Sequence, residues 1–245
     1  MKLIIDTSFD VRTDTPPGRD PDTYSATLRD CHLNLWSKGL PSGDTFILTA
    51  KTPGVYLTHK SDIGEFRLSS DIMIPSYVET KKLASLIKQV PKPIVEAFTD
   101  LAHTVGGFII FPSNRVDKKM TINGARGCHS KIQDRFDLTL ECIRRHYVGI
   151  DSPLSETLER YSDFFELFVD FKSYSEFFLL QDLVTKDAKE VRFFLPFDEF
   201  ERSAFPTSID EYVDYAAKAM TFIRSRNKRI SETVGDGSRK VYPFG

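Results

Sequence analysis

Hydrophobic and polar positions change their period along this chain, and the changes mark out its elements. After a polar stretch over residues 6–22, with Pro16-Pro17-Gly18 at its centre, Tyr24, Leu28, Cys31 and Leu35 recur at intervals of 4, 3 and 4. That is the apolar side of a helix. It starts near Asp20 or Asp22, where an aspartate can accept from exposed N–H groups and Pro21 suits the first turn. From Thr45 to Ile74 the period shortens. Thr45–Ala50, Gly54–His59 and Glu65–Asp71 are short runs rich in aromatic and branched residues, separated by Thr52-Pro53-Gly54 and Asp62-Ile63-Gly64. Turn residues at that spacing predict an antiparallel meander. A fourth strand is predicted at Gly107–Phe111, with helices over Tyr77–Gln89 and Ile94–Val105 interrupted at Pro91-Lys92-Pro93.

The second half reads as mainly helical. Ser152-Pro153 is a start signal, serine as N-cap and proline at the first helical position. Leu154, Leu158, Tyr161, Phe165 and Phe168 follow at helical spacing, and Ser173–Leu183 predicts a second, buried helix. Val191–Leu195 is a candidate strand. A last helix from about Ile209 to Ile230 would bury Ile209, Tyr212, Val213, Ala216, Met220 and Ile223. Residues 233–245 are polar and contain glycine, which predicts a fraying tail. With no internal repeat and no low-complexity linker, the pattern predicts one α+β domain over residues 1–232: a small antiparallel β-sheet and a larger, mainly helical C-terminal part.

Composition adds boundaries rather than detail. The chain has 245 residues, 40% of them hydrophobic and 28% charged, which suits a globular protein. A formal net charge of −2 argues against coating nucleic acid through bulk positive charge. Three widely spaced cysteines without a CxxC pair suit free thiols in a reducing compartment. The opening apolar run is too short for a signal peptide, and no stretch approaches the roughly 20 apolar residues of a membrane span. A cytoplasmic protein without a membrane partner is expected.

Candidate chemistry concentrates between Thr121 and Tyr147. Wound at 3.6 residues per turn, Ile132, Phe136, Leu140, Ile143 and Tyr147 form one narrow apolar face. On the far side Asp134, Asp137 and Glu141 stack, an arrangement that destabilises a helix by roughly 0.2–0.5 kcal/mol per like-charged pair. Arg144 and Arg145 relieve part of it. Arg135, Thr139, Cys142 and His146 run along the edge of the apolar face, where polar networks or active sites are built. Arg135, Glu141 and His146 are therefore the candidate acid–base or orienting groups. Upstream, Asn123-Gly124-Ala125-Arg126-Gly127 reads as a tight turn before a helix start, where free N–H groups attract anions and Arg126 adds a forked donor. Asn123, Gly124, Arg126 and Gly127 are the candidate ligand-binding residues. The segment matches neither GxxxxGK[ST] nor GxGxxG. The competing reading has Arg126 paired with Asp134 or Asp137 inside the fold.

Cys142 and His146, four apart, could share a metal with Cys128-His129 upstream, but the spacing fits no common zinc motif and no metal is assigned. The charged N-terminal loop could fold over a site as a lid. The basic run Arg224–Arg229 could touch phosphates, or simply complement a helix dipole. Phe164-Phe165, Phe177-Phe178 and Phe193-Phe194 are core positions.

The runs TINGARG (Thr121–Gly127) and DRFDLTLECIRRHY (Asp134–Tyr147) resemble those of an uncharacterised bacterial family of unknown function. SPL at Ser152–Leu154, FFLLQDLV at Phe177–Val184 and DTPPGRDPD at Asp14–Asp22 are similar to the same family. The resemblance covers most of the chain and implies one domain and a bacterial origin. It carries no activity and no catalytic residue. From the residues themselves, the expectation is a receptor or enzyme for an anionic ligand, a nucleotide or nucleic-acid phosphate, with cofactor and oligomeric state unspecified. The alternative is a non-catalytic interaction or structural domain whose charged helix is a buried ion-pair network.

Overall fold

In the computed structural model, which describes residues 5–50 and 57–235, the named strands all fall at or before Pro112 and the chain beyond it is mainly helical. Asp20 caps a single turn, α1 (Pro21–Tyr24), with Pro21 in the first turn as predicted. The helix then breaks at extended Ser25, whose side chain caps α2 (Ala26–Trp36) by accepting from the Leu28 N–H. One predicted helix is thus two, because Ser25 satisfies a fresh helix start.

The meander is shorter than predicted and divided. β1 (Lys38–Gly39) pairs with β2 (Thr45–Phe46), while β3 (Leu57–Ser61), β4 (Gly64–Ile72) and β5 (Phe108–Pro112) form a separate antiparallel sheet in the order β3-β4-β5. His59 stands opposite Phe66, and Ser70 opposite Ile110. The predicted strand positions Gly54–Tyr56 lie outside the described residues. Strand β5 is buried on both faces, which explains its continuous apolar run. Tyr77–Gln89 holds only a 3₁₀ turn and α3 (Ala84–Ile87), and α4 (Lys92–Ala102) begins at the proline pair.

Downstream come α5 (Ile122–Cys128), α6 (Phe136–Tyr147), α7 (Ser155–Glu159), α8 (Ser162–Glu166), α9 (Phe171–Phe177) and α10 (Ile209–Gly235). Helix α7 starts three residues after Ser152, whose N–H is bonded by the Ser155 hydroxyl at 2.7 Å instead of opening a helix itself. The helix predicted over Ser173–Leu183 ends at Phe177, because Leu179 takes a left-handed conformation (φ 58°) and the chain turns into a 3₁₀ segment. The Val191–Leu195 strand reduces to one bridge, Val184 opposite Val191. Helix α10 runs five residues past its predicted end, taking in the start of the predicted tail; residues 236–245 lie outside the described residues.

The core is aromatic. Phe164, Phe168, Tyr174, Phe177 and Phe178 interlock with Trp36, the Phe168 and Phe177 ring centroids 4.9 Å apart. Beneath Trp36 lies a buried polar core. The indole N–H donates to His32 Nδ1 at 2.9 Å, which leaves Nε2 to donate to the Ser70 hydroxyl. Burial, with the nearby Arg226 charge, pushes His32 down to about 3, so it is a neutral spacer. Among the described residues no helix is long and apolar enough to cross a membrane.

Candidate functional site

The segment Asn123–Gly127 is not a turn. Thr121 caps it, its hydroxyl accepting from the Gly124 N–H at 3.3 Å, and Asn123, Gly124, Arg126 and Gly127 all lie within α5. The glycines serve packing: a Cβ on Gly127 would sit 3.1 Å from an Asp134 carboxylate oxygen. Asn123 donates to the Ser69 hydroxyl of β4 at 3.1 Å. Arg126 is fully buried. Its guanidinium donates to the Asp71 carboxylate, to the carbonyls of Ile72 (3.1 Å), Met73 (2.8 Å) and Asp134 (2.9 Å), and to the Thr139 hydroxyl at 3.4 Å. An arginine has five N–H donors, and these five contacts engage them within the protein.

Arg126 is thereby the hub of an acidic cluster contributed by three separate stretches. Asp22 comes from α1, Asp71 from β4 and Asp134 from the link into α6, with Asp20 nearby. Burial raises Asp71 to about 6; Arg126 pulls it down, while Asp134 and Asp20 push it further up. Asp22 is raised well above its ordinary value by burial and then by Asp71. Burial also works against the Arg126 charge, but Asp71 and Asp134 outweigh it. The DTPPGRDPD and TINGARG runs, a hundred residues apart in sequence, thus meet at one buried cation.

Helix α6 begins at Phe136, not Ile132, because Gln133 and Asp134 are both left-handed (φ 46° and 61°). For non-glycine residues that conformation costs roughly 1–2 kcal/mol each. The Tyr77 hydroxyl donating to Gln133 O (2.9 Å) and Arg126 donating to Asp134 O hold the pair in place. Asp134 therefore does not stack with Asp137 and Glu141, and neither of those faces solvent: Asp137 is fully buried and Glu141 nearly so. Arg135 grips Asp137 through two contacts of 3.1 and 2.5 Å and reaches Ala204 O at 3.3 Å, while Asp137 also accepts the Phe194 N–H. Glu141 is held by Arg144 at 2.7 Å and Arg145 at 2.8 Å, and Arg145 goes on to Glu199. His146 packs against Phe165 (centroids 5.3 Å apart), 4.0 Å from Glu159. Burial holds its pKa below the ordinary value, with Glu159 and Glu166 opposing. Helix α6 ends where Gly149 (φ 68°) lets the Ile150 N–H turn back to Arg145 O at 2.9 Å.

The predicted site residues are therefore not brought to one place. Arg126 and Asn123 face β4, Arg135 faces residues 194–204, Glu141 faces its own helix end, and His146 faces α7 and α8. Cys142 is buried, its thiol pushed up to about 12 by burial, with Ser152 opposing. Among the described residues no three His, Cys, Asp or Glu side chains are placed to hold one metal ion. Two cations of the basic run in α10 are also used internally, while Arg224 and Lys228 are exposed. Arg226 is buried on the carbonyls of Phe178, Gly106 and Phe108, and burial lowers it to about 9; Arg229 grips Asp182 through two contacts of 2.8 Å.

A cleft of about 340 Å³ lies elsewhere, between α9, the 3₁₀ turn Gln181–Leu183 and the loop that follows. Lys172, Ser175, Gln181, Thr185, Lys186 and Arg192 line it. The loop is pinned as a hairpin: Thr185 N–H donates to Glu190 O at 2.9 Å, Ala188 N–H to Thr185 O at 2.8 Å, and Arg192 N–H to Leu183 O at 2.8 Å. Ser175 is 1% exposed, and its hydroxyl has no hydrogen-bond partner; the buried Gln181 Oε1 has none either. Glu176 and Asp182, also in the wall, are paired with Lys172 (3.9 Å) and Arg229. Lys186 and Arg192 are exposed and form no ion pair with any described residue. No hydrophobic period marks this cleft, because its charges sit in an aperiodic stretch and Ser175 falls inside a helix that reads as core. The only signal was local, a run of alternating Lys and Asp or Glu after the helix.

The chain belongs to a family of unknown function (DUF6994), whose model matches residues 5–230. No curated protein and no solved structure matches it.

Proposed function

We propose that this family member binds a small anionic ligand, and that the ligand lies in the cleft beside α9 rather than on α5 and α6. One observation carries the reading. Lys186 and Arg192, both exposed, line this cleft and form no ion pair with any described residue. Uncompensated cations at the rim of a concave site concentrate anions there. The volume sits at the lower end of the range for small-molecule sites, roughly 300–1,000 Å³.

Concavity favours a small molecule over a nucleic acid, whose backbone tracks an open basic surface. Two of the four cations in the basic run that would supply such a surface, Arg226 and Arg229, are spent on Phe178, Gly106, Phe108 and Asp182. On this reading the charged helix α6 is the structural member. Its carboxylates and arginines fix how residues 194–204 lie over it.

Isothermal titration calorimetry with inorganic phosphate tests the proposal. Saturable binding is expected, weakening as ionic strength rises, and falling at least tenfold in Arg192→Ala with no change in melting temperature. Absence of binding to the native protein, or equal binding by Arg192→Ala, would reject it.

A further inference from the structure

The charges that line the cleft can be counted, and the count restricts what it holds. Its ionisable lining residues are Lys172, Glu176, Asp182, Lys186 and Arg192. Each acid has a cation of its own, Lys172 at 3.9 Å from Glu176 and Arg229 at 2.8 Å from Asp182. Lys186 and Arg192 are left over, exposed and outside any ion pair with a described residue. The other acids of the hairpin do not alter the balance. Asp187 accepts from the Thr185 hydroxyl at 2.7 Å and lies 3.7 Å from Lys189, and neither Asp187 nor Glu190 lines the cleft. The lining therefore carries two positive charges in excess.

A ligand with one negative charge leaves half of that excess standing. A second ligand charge is attracted to both cations, which at a solvated rim and low ionic strength is worth about tenfold in affinity. The desolvation that cancels such gains in buried ion pairs is small here, because both cations remain in water. The two cations also differ in kind. Arg192 offers a planar fork that takes two oxygens of one group, and Lys186 a point charge for a third. A phosphate monoester presents three terminal oxygens and, above its second pKa of about 6, two charges. A phosphodiester or a single carboxylate presents two free oxygens and one charge.

The hairpin that carries both cations is fixed by its own backbone bonds and by the Val184–Val191 bridge, so its backbone is in place before a ligand arrives. At roughly 30 Å³ per water, the cleft of about 340 Å³ holds about eleven waters, which leaves space for the organic part of an ester beside its phosphate.

Resting on the anion-binding reading above, we infer that the ligand is a phosphate monoester bound as its dianion, its charge shared by Lys186 and Arg192. A nucleic-acid backbone, built of diesters, does not meet that demand.

The test compares methyl phosphate, dimethyl phosphate, sulfate, acetate and succinate by calorimetry on the native chain and on Lys186→Gln, a change at an exposed position. At pH 7.5 methyl phosphate should bind about tenfold or more tightly than dimethyl phosphate and acetate, and in Lys186→Gln that margin should shrink to about threefold. No histidine or cysteine lines the cleft, so the group that titrates near neutral pH is the ligand's. Methyl phosphate should therefore weaken about fivefold from pH 7.5 to 5 as it gains its second proton, while sulfate, doubly charged at both, stays within about twofold. If dimethyl phosphate or acetate matches methyl phosphate, or sulfate weakens as much with pH, the dianion assignment is wrong and the anion site stands. If succinate binds as tightly as methyl phosphate, the two charges belong on separate groups and the monoester assignment falls. If none of the five binds, the anion-binding reading falls with it.

Discussion

Replacing Arg126 by methionine separates a ligand-binding arginine from a structural one. Methionine keeps an unbranched apolar side chain of similar reach but removes every donor. Asp71 then loses its cation, the carbonyls of Ile72, Met73 and Asp134 lose their donors, and Asp22, Asp71 and Asp134 face one another without a central charge. Breaking a buried pair from one side costs about 3–5 kcal/mol. In a chain of this size, where each kcal/mol moves the midpoint by about 2–4 °C, that predicts a fall of roughly 6–20 °C in Tm. The left-handed pair Gln133-Asp134 also loses a restraint, so the start of α6 should lose amide protection first. The penalty should shrink as pH falls from 7 to 5, because protonated aspartates repel less. Urea unfolding at both pH values measures the loss, and phosphate titration of the folded variant measures the site. A variant within about 0.5 kcal/mol of the native chain, the range of an ordinary surface change, would refute the hub assignment. So would one that keeps its stability and loses phosphate binding, which would return Arg126 to the list of ligand groups.

Two further predictions follow from the same geometry. Asp71 is raised from 3.8 to about 6, so its contribution to stability is complete below pH 4 and is lost as pH rises through 6. The shift amounts to at most about 3 kcal/mol, and the raised Asp22 adds the same sign. Asp71→Asn should therefore lack most of the decline in stability between pH 4.5 and 7 that the native chain shows relative to it; parallel profiles in chemical denaturation would exclude the effect. Cys128 is exposed, whereas Cys31 and Cys142 are buried with thiols pushed up to about 12. A thiol reagent at pH 8 should label one cysteine in the native protein and three after unfolding, and rapid labelling of Cys31 or Cys142 in the native state would contradict the packing.

Local signals were legible wherever one residue type settles a local question. Asp20-Pro21 started a helix, the apolar positions of α10 from Tyr212 to Ile223 faced inward, and β4 ran as a strand over the predicted Glu65–Asp71. The α+β class followed from those periods, and the TINGARG and DRFDLTLECIRRHY runs pointed to a family of unknown function. Tertiary structure decided the rest. A helical wheel assigns charged residues to solvent, yet Asp137 and Glu141 are buried because residues 194–204 cover a second side of α6, and Arg135, Arg144 and Arg145 neutralise them there. The glycines around Arg126 read as a turn, yet they lie in a helix whose arginine is consumed by carbonyls from β4, partners that no local pattern can reveal. The cleft is the clearest case. Lys186 and Arg192 are ordinary surface cations in sequence, and they become candidate contacts only because the fold sets both along one cleft. Periodicity reports which side of an element prefers water; which buried polar atoms are left unsatisfied depends on neighbours far away in the chain, and only their packing sets it.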